Sequence, residues 1–251
     1  MTTKITTMIT SLLMIATIVA ITPSLHAHAQ SAPDEPNPNL KFDITGAGAT
    51  FPYPLIDLWR VEYHNDFDNV NLNYQSIGSG GGIKQHIEKT VNFAASDAPL
   101  TDKERLLAPG TLHIPETIGG VVIAYNIPEI PEKGLKLTGK MISHIFMGNI
   151  TKWNDPEIAS INPGMKLPDQ EIVVAHRSDG SGTSFVFTDY LSTVDPEPGW
   201  AKKVGKGKSV PWPVGLAAAG NEGVAGIIKS TTYSIGYVEL AYAFQTKMSY
   251  A

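Results

Sequence analysis

The amino-acid sequence predicts an α/β fold with mainly parallel sheets, and two observations carry that expectation. Short strand-like runs alternate along the chain with stretches of helical periodicity. Three of the strand-to-helix junctions are also glycine-rich turns of small residues, at 46–52, 77–82 and 178–184.

Phe42 to Thr45 reads as the first strand, and Pro54 suits the first residue of a helix carrying Leu55, Leu58 and Trp59. Leu72 and Tyr74 alternate with Asn71 and Asn73 in a second strand, followed after Ile77-Gly78-Ser79-Gly80-Gly81-Gly82 by a helix over 83–90. Phe93 to Ser96 is a short strand ending at Asp97, and Thr101-Asp102-Lys103-Glu104 has the spacing of a capping box. Strands are expected at 112–114 and 121–125, and an amphipathic helix at 138–147 with Met141, Ile142, Ile145 and Phe146 on its apolar side. Residues 153–170 and 196–213 are rich in loop formers, and the four lysines of the second stretch read as a solvated loop. Between them lies a strand over 171–176 and a helix over 185–191; a helix at 222–229 and a strand at 234–242 close the pattern. No internal repeat is visible.

The N-terminus has a different character. Lys4 precedes an apolar run from Met8 to Ile21, then Pro23 and Ala27-His28-Ala29, the layout of a secretory signal peptide cleaved after residue 29. The run is shorter than the ~20 residues a membrane span needs. Residues 30–39, with three prolines and two acids, suit an extended linker, so folding is expected from Leu40 onward. The formal net charge of −5 and the absence of a basic face exclude the usual nucleic-acid binder, and with no cysteine there is neither disulfide nor thiolate metal site.

The chemistry concentrates in Arg177-Ser178-Asp179-Gly180-Ser181-Gly182-Thr183-Ser184. A turn of small residues opening a helix presents backbone N–H groups at the positive end of the helix dipole, and Arg177 adds a planar cation suited to carboxylate or phosphate oxygens. Asp179 is placed to hold that guanidinium still. On this stretch alone, an ordinary turn followed by a capped helix accounts for the residues equally well. In open α/β sheets, however, ligands collect at the carboxyl ends of strands. Thr50, Ser79 and the Ser181/Thr183 pair fall at matching places in the three turns, which favours a tetrahedral oxyanion.

Competing motifs fail. Residues 134–140 match the spacing of a phosphate-binding loop, but Met141 stands where its Ser or Thr must be. Neither Ser79 nor Ser181 lies in G-x-S-x-G, and His64, His86, His113, His144 and His176 have no metal-site spacing. No cofactor or metal is expected. The sequon Asn149-Ile150-Thr151 informs only in a host that glycosylates.

Several longer motifs, in fixed order, carry a resemblance to a family. Thr-Gly-Ala-Gly-Ala-Thr-Phe-Pro (45–52), Ile-Gly-Ser-Gly-Gly-Gly (77–82), Ala-Ser-Asp-Ala-Pro-Leu (95–100) and Arg-Ser-Asp-Gly-Ser-Gly-Thr-Ser-Phe (177–185) resemble the phosphate-binding proteins of ABC transporters. So do Ile-Gly-Gly-Val-Val (118–122), Ile-Phe-Met-Gly-Asn-Ile-Thr-Lys-Trp-Asn-Asp-Pro (145–156) and Ile-Gly-Tyr-Val-Glu (235–239). The resemblance implies a type II periplasmic-binding fold of two α/β lobes closing on one phosphate. It implies a first lobe over 40–117, a second over 118–240, and the start of a return segment to the first lobe over 241–251. It implies Thr50, Phe51, Ser79, Asp97, Arg177, Ser181, Gly182 and Thr183 as phosphate ligands, with Asp179 orienting Arg177.

By the same resemblance the protein is an exported, monomeric, extracytoplasmic receptor that passes phosphate to a membrane-embedded ABC permease and is not an enzyme. Asp97 fits, because phosphate can donate a hydrogen bond to a carboxylate and sulfate at neutral pH cannot. A cap before Pro99 is the plainer role for it. A receptor for sulfate or molybdate, and a phosphate-ester hydrolase, are the rival expectations. Members of that family continue well past the Tyr-Val-Glu-Leu-Ala-Tyr stretch (237–242), whereas this chain stops at Ala251. The first lobe is therefore expected to be incomplete and to leave apolar surface uncovered.

Overall fold

Two sheets share one order of strands. In a computed structural model describing residues 35–130 and 134–251, β1 (Phe42–Gly48), α1 (Tyr53–Asp66), β2 (Val70–Ser76), α2 (Ser79–Ile87) and β3 (Phe93–Ala95) form a parallel sheet in the order β2-β1-β3. The proposed leader and residues 30–34 of the linker lie outside the described residues. The end of the linker is a turn rather than extended chain: Asn69 donates from Nδ2 to the carbonyls of Asn37 and Leu40, at 3.0 and 2.7 Å.

After α3 (Asp102–Leu107), the chain runs without regular structure to β4 (Val121–Asn126), α4 (Gly139–Phe146) and α5 (Pro156–Ile161). A second unit follows: β5 (Val173–Arg177), α6 (Gly182–Val194), α7 (Trp200–Lys203), β6 (Leu216–Ala218), α8 (Gly220–Ser230) and β7 (Ser234–Glu239). Here the order β6-β5-β7 repeats the arrangement of the first sheet, again parallel. β4 pairs antiparallel with β7, and after α9 (Leu240–Gln245) the strand β8 (Ser249–Tyr250) pairs antiparallel with β4. The repeat is topological, which is why no sequence period betrays it. Residues 241–251, expected to turn back toward the first lobe, here form α9 and the edge of the second sheet.

Local signals explain most elements. Thr101 and Glu104 make the expected capping box on α3, and Thr138 caps α4, whose Met141, Ile142, Ile145 and Phe146 are all buried. Three expectations differ. Residues 112–114 form no strand: they pair with neither sheet, and Leu112 and Ile114 are about four-fifths exposed (82% and 80%). Within the presumed loop 153–170, Asp155 caps a short helix that starts on Pro156. β6 (Leu-Ala-Ala) carries no β-branched residue, and its strand character comes from pairing with β5.

The two sheets differ in core. The second packs Tyr125, Ile145, Phe146, Trp153, Leu191, Trp200 and Tyr237 on one face and Val224, Ile228 and Val238 on the other. The first has a small buried cluster of Ala49, Ile56, Tyr74 and Ala95. Beside it an apolar groove of ≈ 710 Å³ is lined by Phe42, Ile44, Ile56, Trp59, Val70 and Phe93. No helix among the described residues is long and apolar enough to cross a membrane.

Candidate functional site

The carboxyl ends of β1, β2, β3 and β5 bring the three glycine turns together. β1 ends at Gly48, whose φ of +143° and 2.1 Å approach to the Ala95 carbonyl oxygen, measured from where a Cβ would stand, leave no room for a side chain. That contact sets the following Thr50 inside the fold, 2% exposed. Gly78, with φ of +83°, lets the chain turn against the Asp179 carboxylate, and Ser79 then opens α2 fully buried. The Gly80 N–H donates to the Gly180 carbonyl at 2.7 Å, which locks the second turn against the third.

Arg177, the last residue of β5, is 3% exposed. Its Nε and Nη2 donate to Asp179 Oδ1 and Oδ2 at 2.7 and 2.5 Å, the bidentate clamp anticipated from the spacing. Its Nη1 is buried and has no hydrogen-bond partner. An unpaired guanidinium donor in the interior is costly, and an anion is the group that would complete it. Burial pushes the Asp179 carboxyl up, but Arg177 and the Gly220 N–H, 3.1 Å from Oδ1, outweigh burial and hold it below the usual carboxylate range. Behind the arginine, the Tyr237 hydroxyl accepts the Arg177 N–H at 3.1 Å and lies 2.6 Å from Ser184 Oγ. Burial pushes the Tyr237 phenol up to about 12, so it stays neutral.

The hydroxyls and Asp97 fill the opposite side. Ser79 Oγ accepts the Gly182 N–H at 3.1 Å and the Asp97 N–H at 3.4 Å. Thr183 Oγ1 donates to Asp97 Oδ2 at 3.3 Å. Burial raises the Asp97 carboxyl to about 7, against lowering by Thr183 and Arg177 and with further raising by Glu116 and Glu239. A carboxyl poised there can hold or release a proton near neutrality. Ser181 has the helix-cap geometry that was the plainer reading of its turn: its Oγ accepts the Ser184 N–H at 3.0 Å, and its own N–H donates to the Lys208 carbonyl at 2.8 Å. Cap and anion-site geometry coexist in one loop.

Seven of the eight expected ligand positions thus come together: Thr50, Ser79, Asp97, Arg177, Ser181, Gly182 and Thr183. Phe51 follows Thr50 in the same turn, with its ring against Gly119. The structure adds two residues. Asn221, fully buried in the first turn of α8, donates from N and Nδ2 to Thr50 Oγ1 at 3.1 and 2.8 Å, and from Nδ2 to Thr183 Oγ1 at 3.2 Å. Its only signal in the sequence is Gly220-Asn221 opening a helix, a fourth turn of the same kind. The other is Lys208, expected in a solvated loop; its Nζ instead meets Glu104 Oε1 at 2.7 Å with both side chains largely buried. Among the described residues no group of three His, Cys, Asp or Glu side chains is placed to hold a metal ion.

Comparison with known proteins gives this geometry its context. Residues 26–249 match the family described as a PBP superfamily domain. The phosphate-binding protein PstS of Pasteurella multocida is 53% identical over 209 residues, which cover 83% of this chain and 59% of that protein. The protein of the same name from Haemophilus influenzae is 51% identical over 82% of this chain and 61% of its own length. The chain therefore spans about three fifths of these curated relatives. A putative phosphate ABC transporter substrate-binding protein from Clostridium perfringens, solved with bound phosphate, superposes with a TM-score of 0.62 at 19% identity, covering 83% of this chain and 74% of that one. At that identity the likeness speaks for the fold.

Proposed function

The chain belongs to the PBP superfamily, and from that premise we propose that it captures inorganic phosphate outside the cytoplasm for import by a membrane-embedded ABC permease, acting as a monomeric receptor that does no chemistry. The observation that carries the reading is Arg177: a buried, clamped cation with one unpaired donor, near enough to Asp97 to pull its carboxyl down. Thr50, Phe51, Ser79, Arg177, Ser181, Gly182 and Thr183 serve as the donors, through side chains, backbone N–H groups or both. Asp179 orients Arg177. Asp97 is the acceptor for the proton that phosphate brings. Sulfate at neutral pH has no such proton, so a buried carboxylate facing it stays unpaired against a second negative charge. That argument sets phosphate above sulfate or molybdate.

Hydrolysis of a phosphate ester has less support. Neither Ser79 nor Ser181 lies in a nucleophile-elbow motif, and among the described residues no group of three His, Cys, Asp or Glu side chains is placed to hold a metal ion. Export rests on the leader-like residues 1–29.

Calorimetric titration of the protein with inorganic phosphate and, separately, with sulfate tests the reading. One tight phosphate site, with sulfate weaker by several orders of magnitude, is expected. Equal affinity for the two anions removes the role given to Asp97, and release of phosphate from a simple ester, abolished by a change at Arg177, restores the hydrolase.

A further inference from the structure

Asn221 uses its backbone N–H and both ends of its side-chain amide: the backbone N–H and one Nδ2 hydrogen go to Thr50 Oγ1, the other Nδ2 hydrogen to Thr183 Oγ1, and Oδ1 accepts the Glu239 N–H at 2.9 Å. The last bond sets which way the amide faces, because a backbone N–H can be met only by the amide oxygen. The nitrogen end is therefore the end that meets both threonines.

That orientation has a consequence for the hydroxyls. A hydroxyl has two acceptor lone pairs and one proton. Both lone pairs of Thr50 Oγ1 are taken by Asn221, so the threonine can interact further only by donating. Thr183 Oγ1 accepts from the same amide and spends its proton on Asp97. The two threonines come from the turns after β1 and β5, in different sheets, and Asn221 stands in a third turn. We propose that Asn221 is a positioning and specificity-determining residue, which sets the Thr50 hydroxyl as a donor toward an oxyanion, holds the Thr183 hydroxyl as a donor to Asp97, and leaves Asp97 as the acceptor at the site. This inference rests on the receptor reading above and names a residue through which its selectivity acts.

The test is a cycle of substitutions read by calorimetry with inorganic phosphate, alongside thermal melting without phosphate. Asn221→Leu keeps the volume and adds no charge; Asn221→Ala serves if the first does not fold. Either is expected to weaken phosphate binding at least about tenfold, because a hydroxyl free to turn its lone pairs inward repels the anion it should serve. In a Thr50→Val background, where there is no hydroxyl to orient, the same change is expected to cost no more than about threefold. A residue that only supports the fold would give equal losses in both backgrounds, which overturns the proposal. So does phosphate affinity within threefold of wild type, or failure of both Asn221 variants to melt cooperatively. If the wild-type protein binds no phosphate, the receptor reading falls and this inference with it; binding by the wild type that is indifferent to Asn221 sinks the inference alone.

Discussion

Replacing Arg177 with methionine removes the cation while keeping an unbranched side chain of similar length. The guanidinium is 3% exposed, two of its nitrogens are held by Asp179, and Nη1 is the donor left for a ligand. A hydrogen bond to a charged group contributes ~1.5–3 kcal/mol, and truncating one partner of a buried charged pair costs ~2–5 kcal/mol. Combining the two without double counting gives a loss of about 3–4 kcal/mol, or roughly 10²- to 10³-fold in Kd for phosphate. The change also strands the Asp179 carboxylate with the Gly220 N–H, so the variant should be less stable by about 1–3 kcal/mol. Arg177→Met with Asp179→Asn removes that stranded charge and should recover much of the stability but none of the affinity. Calorimetric titration measures the first quantity and melting in phosphate-free buffer the second. A folded Arg177→Met protein that binds phosphate within threefold of wild type would refute the assignment of Arg177 as the main anion anchor.

Two further outcomes are expected. Asp97 is pushed up to about 7 by burial, above the usual carboxylate range, so the folded protein binds the extra proton between roughly pH 4 and 7. By linkage, its contribution lowers stability as pH rises through that window and is most favourable below it. Melting curves should therefore show a decline toward neutrality that Asp97→Asn flattens, and the same variant should narrow the preference for phosphate over sulfate; an unchanged pH profile contradicts the placement of Asp97. Lys208→Ala removes the largely buried pair with Glu104 that joins α3 to the loop behind Ser181, and should cost about 1 kcal/mol of stability, less in 1 M salt; a loss insensitive to salt would point to packing of the lysine stem instead.

Much of this protein is written locally. Pro54, Thr101 with Glu104, and Thr138 announce helix starts by their own hydrogen-bonding chemistry, and the glycine turns at 46–52, 77–82 and 178–184 announce where backbone must bend closely. The pairing of Arg177 with Asp179 is legible because two residues on a tight turn can reach each other without help from the rest of the chain. Where a signal depends on a distant partner, the sequence is silent. β6 is a strand because β5 lies beside it, and residues 112–114 are not one because they pair with neither sheet. Asn221 looks like any asparagine after a glycine until tertiary packing brings Thr50, Thr183 and Glu239 to its four hydrogen bonds. Lys208 reads as solvent-facing until Glu104 arrives from the other side of the chain.

The sequence by itself determined the α/β class, the three turns and the residue types of the site, because backbone bending, helix capping and charge are properties of a few neighbouring residues. Tertiary structure alone decided that two sheets repeat one strand order, that their turns meet, and that Arg177 Nη1 is left buried and unpaired. Those facts concern which distant groups meet after burial, and no local propensity encodes them.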